Sequence, residues 1–240
     1  MSLKKHIPNF ITSMNLLCGV VGVVFAFKTR LDIAFYLMLA AAVCDFLDGF
    51  AARMLKAYSD MGKELDSLAD LVSFGVLPSL MLYSLMRTSM FSEMDFLCWV
   101  PLLIAVFSAL RLAKFNIDDR QTSFFLGLPT PACALLCGSL CYFVCMEPAS
   151  FLAAWASGPV FVPVLSLVLC VLLVCELPMF SMKFSKDDSA VLKSKRVSLL
   201  FEIILVTALT VIFGFHWSVI VLAVFVCYII KNIIYALFRI

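Results

Sequence analysis

Charge is scarce in this sequence. Lys, Arg, Asp and Glu together make up 14% of the 240 residues, while 64% are hydrophobic. A soluble domain carries ~25% charged and ~45–50% apolar residues, so a water-soluble globule is excluded, and with it a disordered chain. Glycine and proline are few, at nine each, which excludes collagen-like and linker-rich organisation. Neither sign of charge is in excess, with 18 Lys and Arg against 16 Asp and Glu and a net charge of +2, so there is no electrostatic footprint for nucleic acid. Cysteine is not scarce, but its ten copies form no CxxC pair and are spread through apolar runs, where a thiol behaves as a small hydrophobe. What remains is an integral membrane protein.

A bilayer core of ~30 Å needs ~20 mostly apolar residues in a helix. Eight stretches meet that length: 8–27, 33–52, 66–86, 96–115, 124–146, 159–181, 197–215 and 217–238. The expected fold is therefore an all-α, polytopic membrane helical bundle of about eight transmembrane helices. The first stretch has no small-residue cleavage site before its charged follow-on and is expected to stay as a span. With the N-terminus in the cytoplasm, 15 of the 18 basic residues fall on the cytoplasmic side, and only Lys28, Arg30 and Arg87 do not. The positive-inside rule then predicts both termini in the cytoplasm. No soluble domain, linker or internal repeat stands out, so residues 1–240 are expected to form one domain. Cys133, Cys137, Cys141 and Cys145 fall on one helical face, which predicts a helix-packing seam rather than a soft-metal site.

Four acids sit where apolar residues are expected. They occur in Asp45-Phe-Leu-Asp48-Gly49-Phe-Ala-Ala52-Arg53 and in Gly62-Lys-Glu-Leu-Asp66-Ser-Leu-Ala-Asp70. The uncharged run from Ile33 to Cys44 covers ~18 Å of helix, which places Asp45 and Asp48 inside the second span. Asp66 falls in the first turn of the third, and Asp70 one turn deeper. An acid at a helix centre costs roughly 2.5–3.5 kcal/mol on insertion scales, and Leu or Phe returns only ~0.3–0.6. Something cationic should offset four of them. Spacings of three and four put each pair on one helix face, and two such faces bring four carboxylates together. His6 and His216 are far away in sequence, so the site is made of oxygen ligands alone, the preference of Mg²⁺ or Mn²⁺. Four negative charges suit two such ions, and two-metal sites serve displacement at phosphorus. Gly49 lets a ligand approach the backbone, and Arg53 can grip a phosphate with two parallel hydrogen bonds. The competing readings are an ion-pair network with Arg53, Lys56 and Lys63, a cation transporter, and a structural scaffold. A transporter predicts acids on both sides of the midplane, whereas Glu147, Glu176 and Glu202 are scattered singly. A scaffold leaves the aspartate spacing unexplained.

At these residues the chain resembles the CDP-alcohol phosphotransferase family. The family signature, DxxDGxxAR followed by eight residues and then GxxxDxxxD, is matched at every fixed position from Asp45 to Asp70. The segments 8–19 (PNFITSMNLLCG), 66–78 (DSLADLVSFGVLP) and 111–131, with RLAKFN and GLPTP, resemble its bacterial and archaeal serine branch. The C-terminal spans 159–238 add only a compatible length. The resemblance implies phosphatidylserine synthesis: CDP-diacylglycerol and L-serine give phosphatidylserine and CMP at the cytoplasmic face of the cell membrane. It implies two divalent cations, Mg²⁺ or Mn²⁺, with Asp45 and Asp66 bridging both, Asp48 completing one site and Asp70 the other. It makes Asp70 the general base and assigns Asn9, Thr12, Gly49, Arg53, Ser59 and Gly62 to the CDP-lipid. Arg111, Lys114 and Asn116 are the candidates for serine, and a homodimer is expected. One position departs from the branch pattern: Lys114 stands where a second Arg is usual, which keeps the charge and loses the planar fork. Within the family the alternative acceptors are glycerol 3-phosphate and inositol phosphate.

Overall fold

A computed structural model describes residues 6–89, 92–117, 124–180, 190–212, 214 and 216–238. The basic stretch around Lys183 and Lys186 lies outside the described residues, as do Lys4, Lys5, Arg120 and Arg239. The apolar runs fold as helices, the form that satisfies every backbone polar group within one segment. Helix α1 (His6–Phe27) and α2 (Leu31–Leu55) form an antiparallel pair, joined by a tight turn with Thr29 at φ 57°. Lys56, also left-handed, closes α2 by donating its N–H to Ala52 and Arg53. Ser59 then caps α3 (Asp60–Asp70), accepting from the Gly62 N–H at 3.1 Å. A π-helical turn (Leu71–Val76) follows and leads into α4 (Leu77–Ser89).

The next span opens as a 3₁₀ helix (Ser92–Leu102) and continues as α5 (Leu103–Ile117). Helices α6 (Thr130–Met146), α7 (Phe151–Ala156), α8 (Phe161–Val174), α9 (Ala190–Ile212) and α10 (Ser218–Phe238) complete the chain. Among the described residues, five stretches are long and apolar enough to cross a membrane: 6–27, 31–55, 60–88, 96–117 and 218–235. The shorter apolar helices 130–146, 161–174 and 197–212 coincide with the other three expected spans. Helix α6 lies at the centre and is buried on nearly all sides. Cys133, Cys137 and Cys141 are buried along it while Cys145 is exposed, so the cysteine stripe is a packing seam as expected. The outward faces carry exposed apolar side chains such as Phe10, Leu17, Val24 and Phe46.

Two expected spans need correction at their ends. Residues 124–126 and 178–180 are short strands, β1 (Phe124–Leu126) and β2 (Pro178–Phe180), paired antiparallel with Phe125 opposite Met179. The apolar runs 124–146 and 159–181 therefore do not stay helical throughout. The cause is local: Gly127 adopts φ +77°, and a Cβ there would lie 2.7 Å from the Leu173 carbonyl oxygen and 2.8 Å from that of Cys175. The Gly127 N–H donates to the Leu177 carbonyl and that of Leu128 to Leu172. Pro129 and Pro131 then admit a helix only from Thr130 onward. The residues between α6 and α8 extend neither neighbour; they form α7, capped by Ser150.

Candidate metal and CDP-lipid site

Helix α1 buries Pro8, Thr12, Asn15, Gly19, Gly22 and Ala26, a stripe of small and polar residues at spacings of three and four. Such a stripe lets helices approach closely and places polar atoms at the contact. Against it stand the C-terminal half of α2, bearing Asp45 and Asp48, and α3, bearing Asp66 and Asp70. One carboxylate oxygen each from Asp45, Asp48 and Asp66 lies within 4.8 Å of the others. Thr12 Oγ1 donates to Asp48 Oδ2 at 2.6 Å while also reaching the Pro8 carbonyl at 3.0 Å. Asn15 Nδ2 donates to Asp70 Oδ1 at 3.2 Å. Asp70 follows Asp66 by one turn of α3, within Coulombic reach of the other three acids.

Among the described residues, the four aspartates form no ion pair, whereas Arg30–Asp32, Lys114–Glu176 and Lys231–Glu202 do. Arg53, Lys56 and Lys63 therefore do not neutralise the acids by direct contact. Asp66 Oδ1 and Asn15 Oδ1 are buried oxygens without a hydrogen-bond partner. Converging carboxylate oxygens, with one left unsatisfied, are a donor set that fits hard divalent cations. Such a cation would supply the positive charge whose absence makes the cluster costly.

Beside the cluster lies a cavity of about 240 Å³, lined on one wall by Asn9, Thr12, Asp48, Gly49 and Arg53 and on the other by Tyr58, Ser59, Gly62, Lys63 and Asp66. All six residues assigned to the CDP-lipid from the sequence border this space. A Cβ on Gly49 would meet only Arg53 Nη1, at 3.7 Å, so that wall is open. At Gly62 a Cβ would come within 3.0 Å of Asn9 Oδ1 and Ser59 Oγ, so the missing side chain lets α1 approach the start of α3. Tyr58 joins the lining without having been singled out in the sequence, and Lys63, named there only as a possible partner of the acids, joins it as well.

The three serine candidates each have a different partner. Arg111 is buried, donates from Nε to the Leu128 carbonyl at 2.6 Å, and lies over the Phe115 ring. Its guanidinium is within Coulombic reach of Asp70. Lys114 reaches Glu176 at 3.0 Å, and Asn116 donates to Ser67 Oγ at 2.9 Å. Both of these contacts tie α5 to neighbouring segments. Glu176 lies just beyond the end of α8, and Glu202 pairs with Lys231 at 2.6 Å. These contacts account for two acids that the sequence left unexplained.

Sequence reasoning missed Asn15 and Ser73 as parts of the site. Both are fully buried, and Ser73 Oγ donates to the Asn15 carbonyl at 3.0 Å. The signal available was the polar and small stripe of α1, in which Thr12 and Asn15 share a face.

A family model described as CDP-alcohol phosphatidyltransferase matches residues 5–172. The CDP-diacylglycerol–serine O-phosphatidyltransferase of Bacillus subtilis is 41% identical over 127 residues, covering 53% of this chain and 70% of that protein. The Mycobacterium tuberculosis protein of the same name is 42% identical over 136 residues, covering 54% of this chain and 46% of its own length. The Methanocaldococcus jannaschii protein so named is 33% identical over 145 residues, covering 60% and 65% respectively. The matched segment thus spans less than two thirds of the mycobacterial and archaeal relatives. With the family model extending over more than half of its length, the chain belongs to the CDP-alcohol phosphatidyltransferase family.

Proposed function

We propose that the protein is a phosphatidylserine synthase, transferring the phosphatidyl group of CDP-diacylglycerol to L-serine with release of CMP. The observation that carries this is the meeting of Asp45, Asp48 and Asp66 beside a cavity that also holds Arg53 and Lys63. Carboxylates gather a metal and cations gather a diphosphate, so the two together fit a nucleotide-linked lipid. The names of the relatives supply serine as the acceptor. The whole chain acts as one domain in the cytoplasmic membrane, in eight spans with both termini and the site on the cytoplasmic side. That orientation rests on the basic-residue count. A homodimer follows from the family resemblance alone.

Divalent cations held by the four aspartates, Mg²⁺ or Mn²⁺, would supply polarisation of the diphosphate and stabilisation of the leaving oxygen. The rest falls to side chains of this chain. Asn9, Thr12, Ser59 and the open backbone at Gly49 and Gly62 hold the nucleotide half of the lipid, and Arg53 grips phosphate oxygens. Asp70 takes the proton of the serine hydroxyl as that oxygen bonds to the phosphorus carrying the diacylglycerol group. The bond from this phosphorus to the CMP oxygen breaks, and CMP leaves with the electron pair. Arg111 is the group best placed for the serine carboxylate, because it is buried and within reach of Asp70. Holding the reactants in line and meeting the developing charge supply most of such catalysis.

The test is an acceptor panel on membranes containing the protein. CDP-diacylglycerol is offered with labelled serine, glycerol 3-phosphate or inositol phosphate, with EDTA and then with Mg²⁺ or Mn²⁺ restored. CMP release is expected with serine, lost with EDTA and regained with metal. Release with glycerol 3-phosphate alone overturns the choice of serine, and release that EDTA leaves unchanged overturns the metal assignment.

A further inference from the structure

Asn15 is buried across the helix contact from Asp70, and its side-chain amide nitrogen and its backbone carbonyl are both engaged. Its amide nitrogen donates to Asp70 Oδ1 at 3.2 Å. Its backbone carbonyl accepts from Ser73 Oγ at 3.0 Å. Ser73 sits in the π-helical turn that begins immediately after Asp70, so the two bonds stitch α1 to the chain on both sides of the aspartate. The amide orientation follows from chemistry: an ionised carboxylate only accepts, so nitrogen must face it. Gly19, one turn further along α1, makes room for this contact. A Cβ there would fall 2.4 Å from Ser73 Oγ and 3.0 Å from its Cα. Among the described residues, Asp70 has no hydrogen-bond partner other than Asn15, so its second oxygen, Oδ2, takes no hydrogen bond from the protein.

We propose that Asn15 is a positioning residue for Asp70. By occupying Oδ1 it fixes the carboxylate plane and leaves Oδ2 to take the proton of the incoming alcohol, and Ser73 holds Asn15 in place. The π turn is what brings Ser73 round to the Asn15 carbonyl; wide turns of this kind recur at functional sites. The role rests on the assignment of Asp70 as the base, but not on which alcohol is used. A residue that aims another acts on turnover more than on binding of the first substrate.

The experiment uses the full chain in membranes, with Asn15→Ala and Ser73→Ala beside the wild type. Initial CMP release is followed against serine and against CDP-diacylglycerol, and CDP-diacylglycerol binding is measured separately without acceptor. Asn15→Ala is expected to lower kcat about 10–100-fold while the CDP-diacylglycerol Kd stays within about twofold. Ser73→Ala is expected to show the same split at about threefold. Wild-type kcat in Asn15→Ala, or a loss of lipid binding in proportion to kcat, overturns the proposal. If Asn15→Ala fails to fold, Ser73→Ala decides alone, and an unchanged kcat in that variant overturns it. If the wild type uses another alcohol, the same split is read with that alcohol. The serine assignment then fails while the role of Asn15 is judged independently.

Discussion

The two ends of the helix bundle handle their polar atoms in opposite ways. At one end, Asp45, Asp48 and Asp66 crowd together one turn from Asp70 with no Lys or Arg ion-paired to them among the described residues, Asp66 Oδ1 lacks a hydrogen-bond partner, and a cavity opens alongside. At the other, Tyr36 and Tyr142 share a hydrogen bond of 2.7 Å, and His216 lies 3.0 Å from Ser218. Phe35, Tyr142 and Trp217 stack there with ring centroids 5.2–6.1 Å apart. Trp217 also meets Tyr36 and His216 there, at 6.4 and 5.6 Å between ring centroids; amphipathic rings of this kind settle at a membrane–water interface. Among the described residues, the polar atoms named at the aromatic end partner one another. The carboxylate end keeps a buried oxygen unpartnered, which is what makes it the candidate site.

Substitutions that exchange these properties should separate activity from stability. Asp66→Asn has the largest expected effect: it removes a proposed metal ligand and a largely buried charge at once. Turnover should fall by about 1000-fold or more, the equivalent of several kcal/mol of lost charge stabilisation. The unfolding midpoint in metal-free buffer should rise, because an uncompensated buried charge is gone. A variant that loses stability along with activity would show that the cluster is structural. Arg53→Ala comes next, with an expected rise of about 10-fold in KM for CDP-diacylglycerol, close to one charge-assisted bond. A kinetic series in lipid concentration reads it directly.

At the aromatic end the expectation reverses. Tyr142→Phe removes the bond to Tyr36 and should cost about 1 kcal/mol of stability, with turnover unchanged in the same CMP assay. A fall in turnover matching that of Arg53→Ala would erase the distinction between the ends. Lys114→Met has the smallest expected effect. It breaks an exposed pair with Glu176, which is worth about 0–1 kcal/mol, and the KM for serine should move by less than about threefold. A larger rise would bring Lys114 into the acceptor site despite its present partner.

Much of this was legible in the sequence, and the reasons differ by region. Aspartates in an apolar run are costly, so their positions announce a site, and the residues between Asp45 and Asp70 carry the signature that names the family. The apolar stretches located the helices because hydropathy is a property of composition. The strands at 124–126 and 178–180 were not legible from hydropathy, since a buried strand and a buried helix are equally apolar. Gly127, Pro129 and Pro131 carried that information instead. Asn15 and Ser73 were hidden for another reason. Their roles depend on contacts made across 55 and 58 residues of chain, and no local pattern records such a pairing. The ion pairs of Glu176 and Glu202 were hidden in the same way.

The π-helical turn at Leu71–Val76 makes the number of residues in this stretch as significant as their identity. A straight α-helix advances about 100° per residue, whereas this wider turn takes up one residue more over nearly the same rotation. Deleting one residue here would let it close to an ordinary turn with Leu77, Met81 and Leu85 still facing the core, and would draw Ser73 away from α1. The same deletion in the regular helix on either side has no such slack and re-phases one half of the element against the other. The stretch is a reserve of slack between the aspartates and the buried leucines.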